Sequence, residues 1–164
     1  QPVADGWLVQ GSGKTLHDTD GIMAYSAVYR DFRITAHMTV GNGAGGGIAM
    51  VYNPNHSVGF ALKDDYTWVF NCNHHNLTRR YNGKQYLWDR IYVRLTVRDQ
   101  IVSCWFSPDN KEWTKLIPSF NIEHICSLAH IPRGVRGSMM LPALFAYGNG
   151  SVTFHSFEID PLGD

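Results

Sequence analysis

The chain has 164 residues, the size of one domain that can bury roughly 70% of the surface its unfolded form exposes, so a core needs no staples. Hydrophobic residues make up 44% and aromatics 13%, with 16 glycines and 7 prolines, which excludes a disordered or fibrous chain and points to a turn-rich globule. Fourteen basic side chains balance fourteen acidic ones, so the positive excess that drives phosphate binding is missing, and neither nucleic acid nor anionic membrane is an expected partner.

In chain order, Gln1 to Gly6 carry neither the basic start nor the apolar run of a signal peptide, which reads as a mature protein or an excised piece. Gly13-Lys14-Thr15 resembles the end of a phosphate loop, but the upstream glycine position holds Leu8 and the backbone cradle is lost. Arg33 to Val40 alternates polar and apolar residues, as a strand with one face in a core does. Gly41 to Gly46 spells GxGxxG, yet a strand follows where a dinucleotide site requires a helix, so it reads as a strand connection.

Short runs at Gly47 to Tyr52, Ser57 to Lys63 and Thr67 to Asn71 are separated by the turn signals Asn53-Pro54-Asn55 and Asp64-Asp65-Tyr66, and predict a meander. The apolar stretches, such as Ile48 to Tyr52, fall far below the roughly 20 residues that span a bilayer. Arg90 to Arg98 puts Ile91, Val93, Leu95 and Val97 on one face and charges on the other, and Asp99-Gln100 turns it into a hairpin with Ile101 to Phe106. Ser107-Pro108-Asp109-Asn110 supplies a second turn and predicts a strand over Lys111 to Leu116.

Asn121 to Ala129 has a hint of helical spacing too short to found a helical layer. Near the end, Val152 and Phe154 keep one phase while Phe157 and Ile159 keep the other, which predicts a bulge around His155-Ser156. Strands at this spacing without intervening helices predict one all-β domain over 1–164, an antiparallel two-sheet sandwich or barrel. The three cysteines, Cys72, Cys104 and Cys126, leave at least one thiol free; a Cys72–Cys104 bridge and buried free thiols are both open. Sequons stand at Asn55, Asn76 and Asn149.

Catalytic patterns are not found. Glycosidases place two carboxyl groups across the scissile bond, and no strand is read as carrying acids two or four apart on one face. Asp64 and Asp65 are adjacent and read as a turn, there is no GxSxG, HExxH or paired CxxC, and His74-His75 would diverge on an extended segment. Sugar recognition asks instead for exposed aromatic faces flanked by planar polar groups. The segment Tyr66 to Trp88 fits, with Tyr66, Trp68 and Trp88 expected to stack on a sugar and Asn73, His75, Arg79 and Arg80 expected to hydrogen-bond its hydroxyls.

Several stretches carry a resemblance: Tyr29 to Ile34, Gly46 to Tyr52, Arg90 to Val97, Trp105 to Trp113, and Phe154 to Glu158. In that order they resemble the concanavalin A-like, laminin-G-like sandwich domains found beside glycoside hydrolases, including the C-terminal domains of β-xylosidases and arabinofuranosidases and the fructan-binding modules of levanases. The similarity covers Asp5 to Asp160. It implies a jelly-roll pair of curved antiparallel sheets, a polysaccharide or oligosaccharide partner, an attached catalytic domain and a secreted parent, extracellular or periplasmic. It also implies a structural calcium that joins the N-terminal stretch to the last strand, with Asp160 and Asp18 or Asp20 as oxygen ligands.

The expectation is therefore a non-catalytic carbohydrate-binding module that targets an attached glycoside hydrolase to polysaccharide. The alternatives are a structural domain that packs on a catalytic domain, and a glycanase or lyase on the same sandwich, using His74, His75, Arg79 and Tyr81.

Overall fold

A computed structural model describes residues 1–25, 31–53, 56–63, 67–72, 75–80, 90–121 and 141–162, without the side chains of 52–53, 56, 72, 75–80 and 120. The described residues form strands β1 (Pro2–Val3), β2 (Gly6–Gln10), β3 (Gly21–Ala24), β4 (Phe32–Val40), β5 (Ala44–Asn53), β6 (His56–Lys63) and β7 (Thr67–Cys72). They continue as β8 (His75–Arg80), β9 (Ile91–Arg98), β10 (Ile101–Ser107), β11 (Thr114–Lys115), β12 (Phe120–Asn121), β13 (Leu141–Gly148) and β14 (Ser151–Pro161). One sheet runs β1-β2-β14-β4-β9-β10-β11 with β12 also on β10, the other β3-β13-β5-β6-β7-β8, and every described pairing is antiparallel. The fold is an all-β, two-sheet antiparallel sandwich, as its alternating sequence predicts.

Alternation sets the core. From the eight-stranded sheet, Phe32, Ile34, Ala36 and Met38 of β4, Ile91, Val93, Leu95 and Val97 of β9, and Val102, Cys104 and Phe106 of β10 point inward. Ile48 and Met50 of β5, Val58 and Phe60 of β6, Trp68 and Phe70 of β7, and Leu144 of β13 meet them from the six-stranded sheet. The Trp68 ring lies 5.4 Å from the Phe106 ring across the sheets and 5.8 Å from Phe60 beside it. Cys104 is a buried free thiol, so it is not bridged to Cys72, and burial pushes its pKa up.

The β5-β6-β7 run is the expected meander, and β8 extends it by one strand. The β9–β10 hairpin turns on Asp99 and Gln100, both at positive φ (49° and 66°), the backbone twist that a two-residue connection needs. The bulge also stands where the phase change put it: between Phe154 and Ser156 the register of β14 against β4 shifts by one.

Three expectations are corrected or displaced. The strand expected over 111–116 shrinks to Thr114–Lys115. The cause is local: Asp109 Oδ1 accepts the N–H groups of Lys111 and Glu112 and the Ser107 hydroxyl, so these groups close a turn instead of joining a ladder. The helical spacing at 121–129 lies outside the described residues, except for Asn121, which is in β12. Strands β1, β2, β3, β8, β12 and β13 have no counterpart among the strands that the sequence predicts.

The outer face of the six-stranded sheet is covered by the loop between β2 and β3. Leu16 is fully buried with Ala49, Ala61, Ala143, Phe145 and Tyr147, and its N–H donates to Asn71 Oδ1 at 3.3 Å. Gly59 makes room for it, since a Cβ there would sit 2.7 Å from the Ala49 side chain and 3.0 Å from a Leu16 methyl. Thr19 fastens the loop by donating to the Ala146 carbonyl at 2.5 Å while accepting the Gly21 N–H. Asp18 Oδ1 closes the turn by accepting the Lys14 and Thr15 N–H groups at 2.8 Å each.

Trp68→Ala removes a side chain that bridges both sheets and is expected to destabilise the protein by about 3–5 kcal/mol, read by equilibrium urea unfolding. A loss below about 1 kcal/mol would mean that the ring is not part of the packed core.

Candidate functional site

The aromatic and polar cluster expected over Tyr66 to Trp88 is reorganised by the fold. Trp68 is corrected: its exposure is 2%, and it packs on Phe106 and Phe60, so its faces are spent on the core and cannot stack on a sugar. The inward phase of β7, shared with Phe70, decides this. His75, Arg79 and Arg80 lie on β8, at the edge of the six-stranded sheet, in register with Cys72, Trp68 and Thr67. Tyr66, Asn73, His74, Tyr81 and Trp88 lie outside the described residues.

A different set of aromatic and polar residues converges on the outer face of the eight-stranded sheet. The inward residues of β4, β9 and β10 leave Arg33, Arg94, Thr96, Ser103 and Trp105 on the opposite side of the pleat. Together with Trp113, which follows the Asp109 turn, they line a cleft of about 260 Å³. All six side chains are half-buried. Sequence reading placed the charges of β9 outward but did not connect them with the two tryptophans. The signal was present: Ser103 and Trp105 alternate with Val102, Cys104 and Phe106.

The cleft is cationic and rigidly built. The Arg94 guanidinium lies 3.9 Å from the centre of the Trp113 ring and donates from Nε to Thr35 Oγ1 at 3.1 Å, so stacking and a hydrogen bond fix its plane. Lys115 Nζ stands 5.4 Å from the Trp105 ring centre. Burial and the neighbouring Arg33 charge lower the Arg94 pKa, with Asp160 and Glu158 opposing them. Arg33 Nε is buried without a hydrogen-bond partner among the described residues.

A second cluster occupies the other end of this face. His37 and Tyr92 are cross-strand partners whose rings stack at 3.9 Å, 2° from parallel. The extra residue in β14 is His155, whose Nδ1 donates to the Asp5 carbonyl at 2.9 Å, so Nε2 accepts the Thr39 hydroxyl proton at 2.8 Å in the neutral ring. Asp5 also pairs with Arg90 at 2.6 Å, which ties the N-terminal segment to the start of β9.

The residues named for calcium do not assemble. Asp18 sits by Gly13, whose carbonyl accepts the Gly148 N–H at the β13–β14 turn. Asp160 pairs with Arg33 nine residues beyond Ser151, about 30 Å further along β14. Asp18 Oδ1 is already taken by two backbone N–H groups, which outweigh the opposing effect of its slight burial and hold its pKa below the usual range. Asp20 is exposed beside the same loop. Among the described residues no three His, Cys, Asp or Glu side chains gather as a metal site.

Two acids on one strand face, which sequence reading did not find, are present. Glu158 and Asp160 are two apart on β14, opposite Thr35 and Arg33 on the outer face. Both are exposed and neither lines the cleft.

No family model matches the chain, and no curated protein matches it. Solved structures do. A GH43 protein from Bacillus licheniformis superposes with a TM-score of 0.71 at 12% identity over 99% of this chain and 36% of its own. The carbohydrate-binding module CBM66 from Bacillus subtilis gives 0.59 at 10% identity over 98% of this chain and 89% of its own. Lectin I-B4 from Griffonia simplicifolia gives 0.62 at 10% identity over 98% and 89%. The fold is the concanavalin A-like sandwich. At these identities the likeness is one of fold, and the sandwich spans 36% of the length of the GH43 protein.

Burial, the His155 ring and the Arg90 charge lower the His37 pKa, with Asp5 opposing. The unfolded chain therefore binds this proton at a pH where the folded one does not. Stability is expected to fall as pH drops from about 6.5 through the folded value, and to stop falling on account of His37 below it. An NMR titration of the His37 ring should give a midpoint below that of a free imidazole; a midpoint at or above it would reverse the sign.

Proposed function

We propose that the chain is a non-catalytic carbohydrate-binding module that holds polysaccharide near an attached glycoside hydrolase outside the cell. The observation that carries this reading is the cleft of Arg33, Arg94, Thr96, Ser103, Trp105 and Trp113. Indole surface suits the apolar faces of a sugar ring, and guanidinium and hydroxyl groups suit its equatorial oxygens. The fold shared with CBM66 and a legume lectin supports it, as does the fold shared with part of a GH43 protein. Tethering a weak binder to a hydrolase raises the local substrate concentration without any new contact to the catalytic domain.

Within this reading Trp105 presents the stacking surface, Arg94 is an oriented donor locked by Trp113 and Thr35, and Ser103 and Thr96 form the floor. A glycan array on the isolated chain should show selective binding without release of sugar. Trp105→Ala should lower affinity by at least about tenfold in calorimetry, while Trp68→Ala that remains folded should retain binding. Unchanged affinity in Trp105→Ala would move the site elsewhere, and released product would make the chain an enzyme.

A further inference from the structure

Resting on the carbohydrate reading above, we propose that the cleft selects saccharides bearing a carboxylate, that is, uronic acid units, with Arg33 and Arg94 reading the anion while Trp105 carries the ring. The chain as a whole is neutral, with equal numbers of basic and acidic side chains. Its charges are nevertheless segregated on this face. Arg33 on β4, Arg94 on β9 and Lys115 on β11 surround the cleft, and the carboxylates of Glu158 and Asp160 stand on β14 outside it.

Neither arginine is held in an ion pair among the described residues, although Asp160 and Glu158 act on Arg94 from β14. Asp160 is the direct cross-strand partner of Arg33, yet no ion pair joins them, and neither guanidinium pairs with any described carboxylate. A buried, charged donor without a partner is costly to leave unmade, and Arg33 Nε is such a donor. The Arg94 fork uses Nε on Thr35 and its flat face on Trp113, and its terminal nitrogens bond to no described residue. Two guanidinium groups that line one cleft, short of acceptors and next to an indole, match a planar carboxylate on a sugar ring better than a neutral hydroxyl, because a guanidinium fork donates to both carboxylate oxygens at once.

The test compares polygalacturonate with the same polymer after methyl esterification, which keeps the sugar backbone and removes the charge, in calorimetry on the full chain. A panel of neutral glycans and polyglutamate serve as controls. The acid form is expected to bind more tightly than the ester by on the order of tenfold or more. Arg33→Gln should collapse that difference, whereas Arg98→Gln, exposed at the end of β9 and not among the residues that line the cleft, should preserve it. Thermal unfolding checks that each variant folds; if Arg33→Gln does not, Arg33→Lys, which keeps the charge but loses the fork, should still reduce the preference.

Equal affinity for acid, ester and neutral glycans would overturn the anion selectivity while leaving the carbohydrate reading in place. Polyglutamate bound as tightly as polygalacturonate would overturn it as well, by reducing the effect to charge alone. No affinity for any glycan would remove both readings together.

Discussion

Strand β14 is eleven residues long and joins β2 to β4, and it can do both only because it carries one extra residue. Before the bulge Val152 and Phe154 face the core; after it Phe157 and Ile159 do. Without the register shift between Phe154 and Ser156 the second half of the strand would turn over, pressing Glu158 and Asp160 into the sandwich and exposing Phe157 and Ile159. The bulge thus keeps carboxylates off the core and places His155 outward, where it holds Asp5 and Thr39. It settles which charges share a face with the cleft.

The two outer faces have opposite fates for a reason visible in side-chain size. On the six-stranded sheet the outward positions of β5 and β6 include Ala49, Gly59 and Ala61, whose small volumes let Leu16 dock flat, and Thr19 and Asn71 hold the loop in place. On the eight-stranded sheet the outward positions are Arg33, Thr35, His37, Tyr92, Arg94 and Trp105, too polar and too bulky to be sealed by a loop. Among the described residues the sandwich thus has one face covered by a loop and one polar face that no described loop covers.

The open face is ordered by contacts that run across strands rather than along them. Arg94 lies on Trp113 and bonds Thr35, and His37 lies on Tyr92. Such contacts fix long side chains in place, and under the proposed function that lowers the ordering cost of binding. Superposition with GH43, CBM66 and lectin structures establishes the scaffold. The specificity is left to this chain's own side chains, since one fold hosts many sites.

By itself the sequence determined the fold class, because period-two alternation over 33–40 and 90–98, paired turn residues and a phase change at His155 are local signals that survive without knowledge of partners. It also located the Asp99-Gln100 hairpin. Strands β2, β3 and β13 escaped it: β13 is apolar on both faces, and β2 and β3 are short. Only tertiary structure decided the site. Trp68 and Trp105 are both strand tryptophans, and composition cannot separate them; pairing Trp68 with Leu62 and Trp105 with Arg94 sends one ring into the core and the other to the surface. Asp18 and Asp160, named together for calcium from sequence, are likewise separated by about the length of β14. Residues far apart in sequence become a site through strand order and register, and those are set by which faces the whole sandwich can bury together.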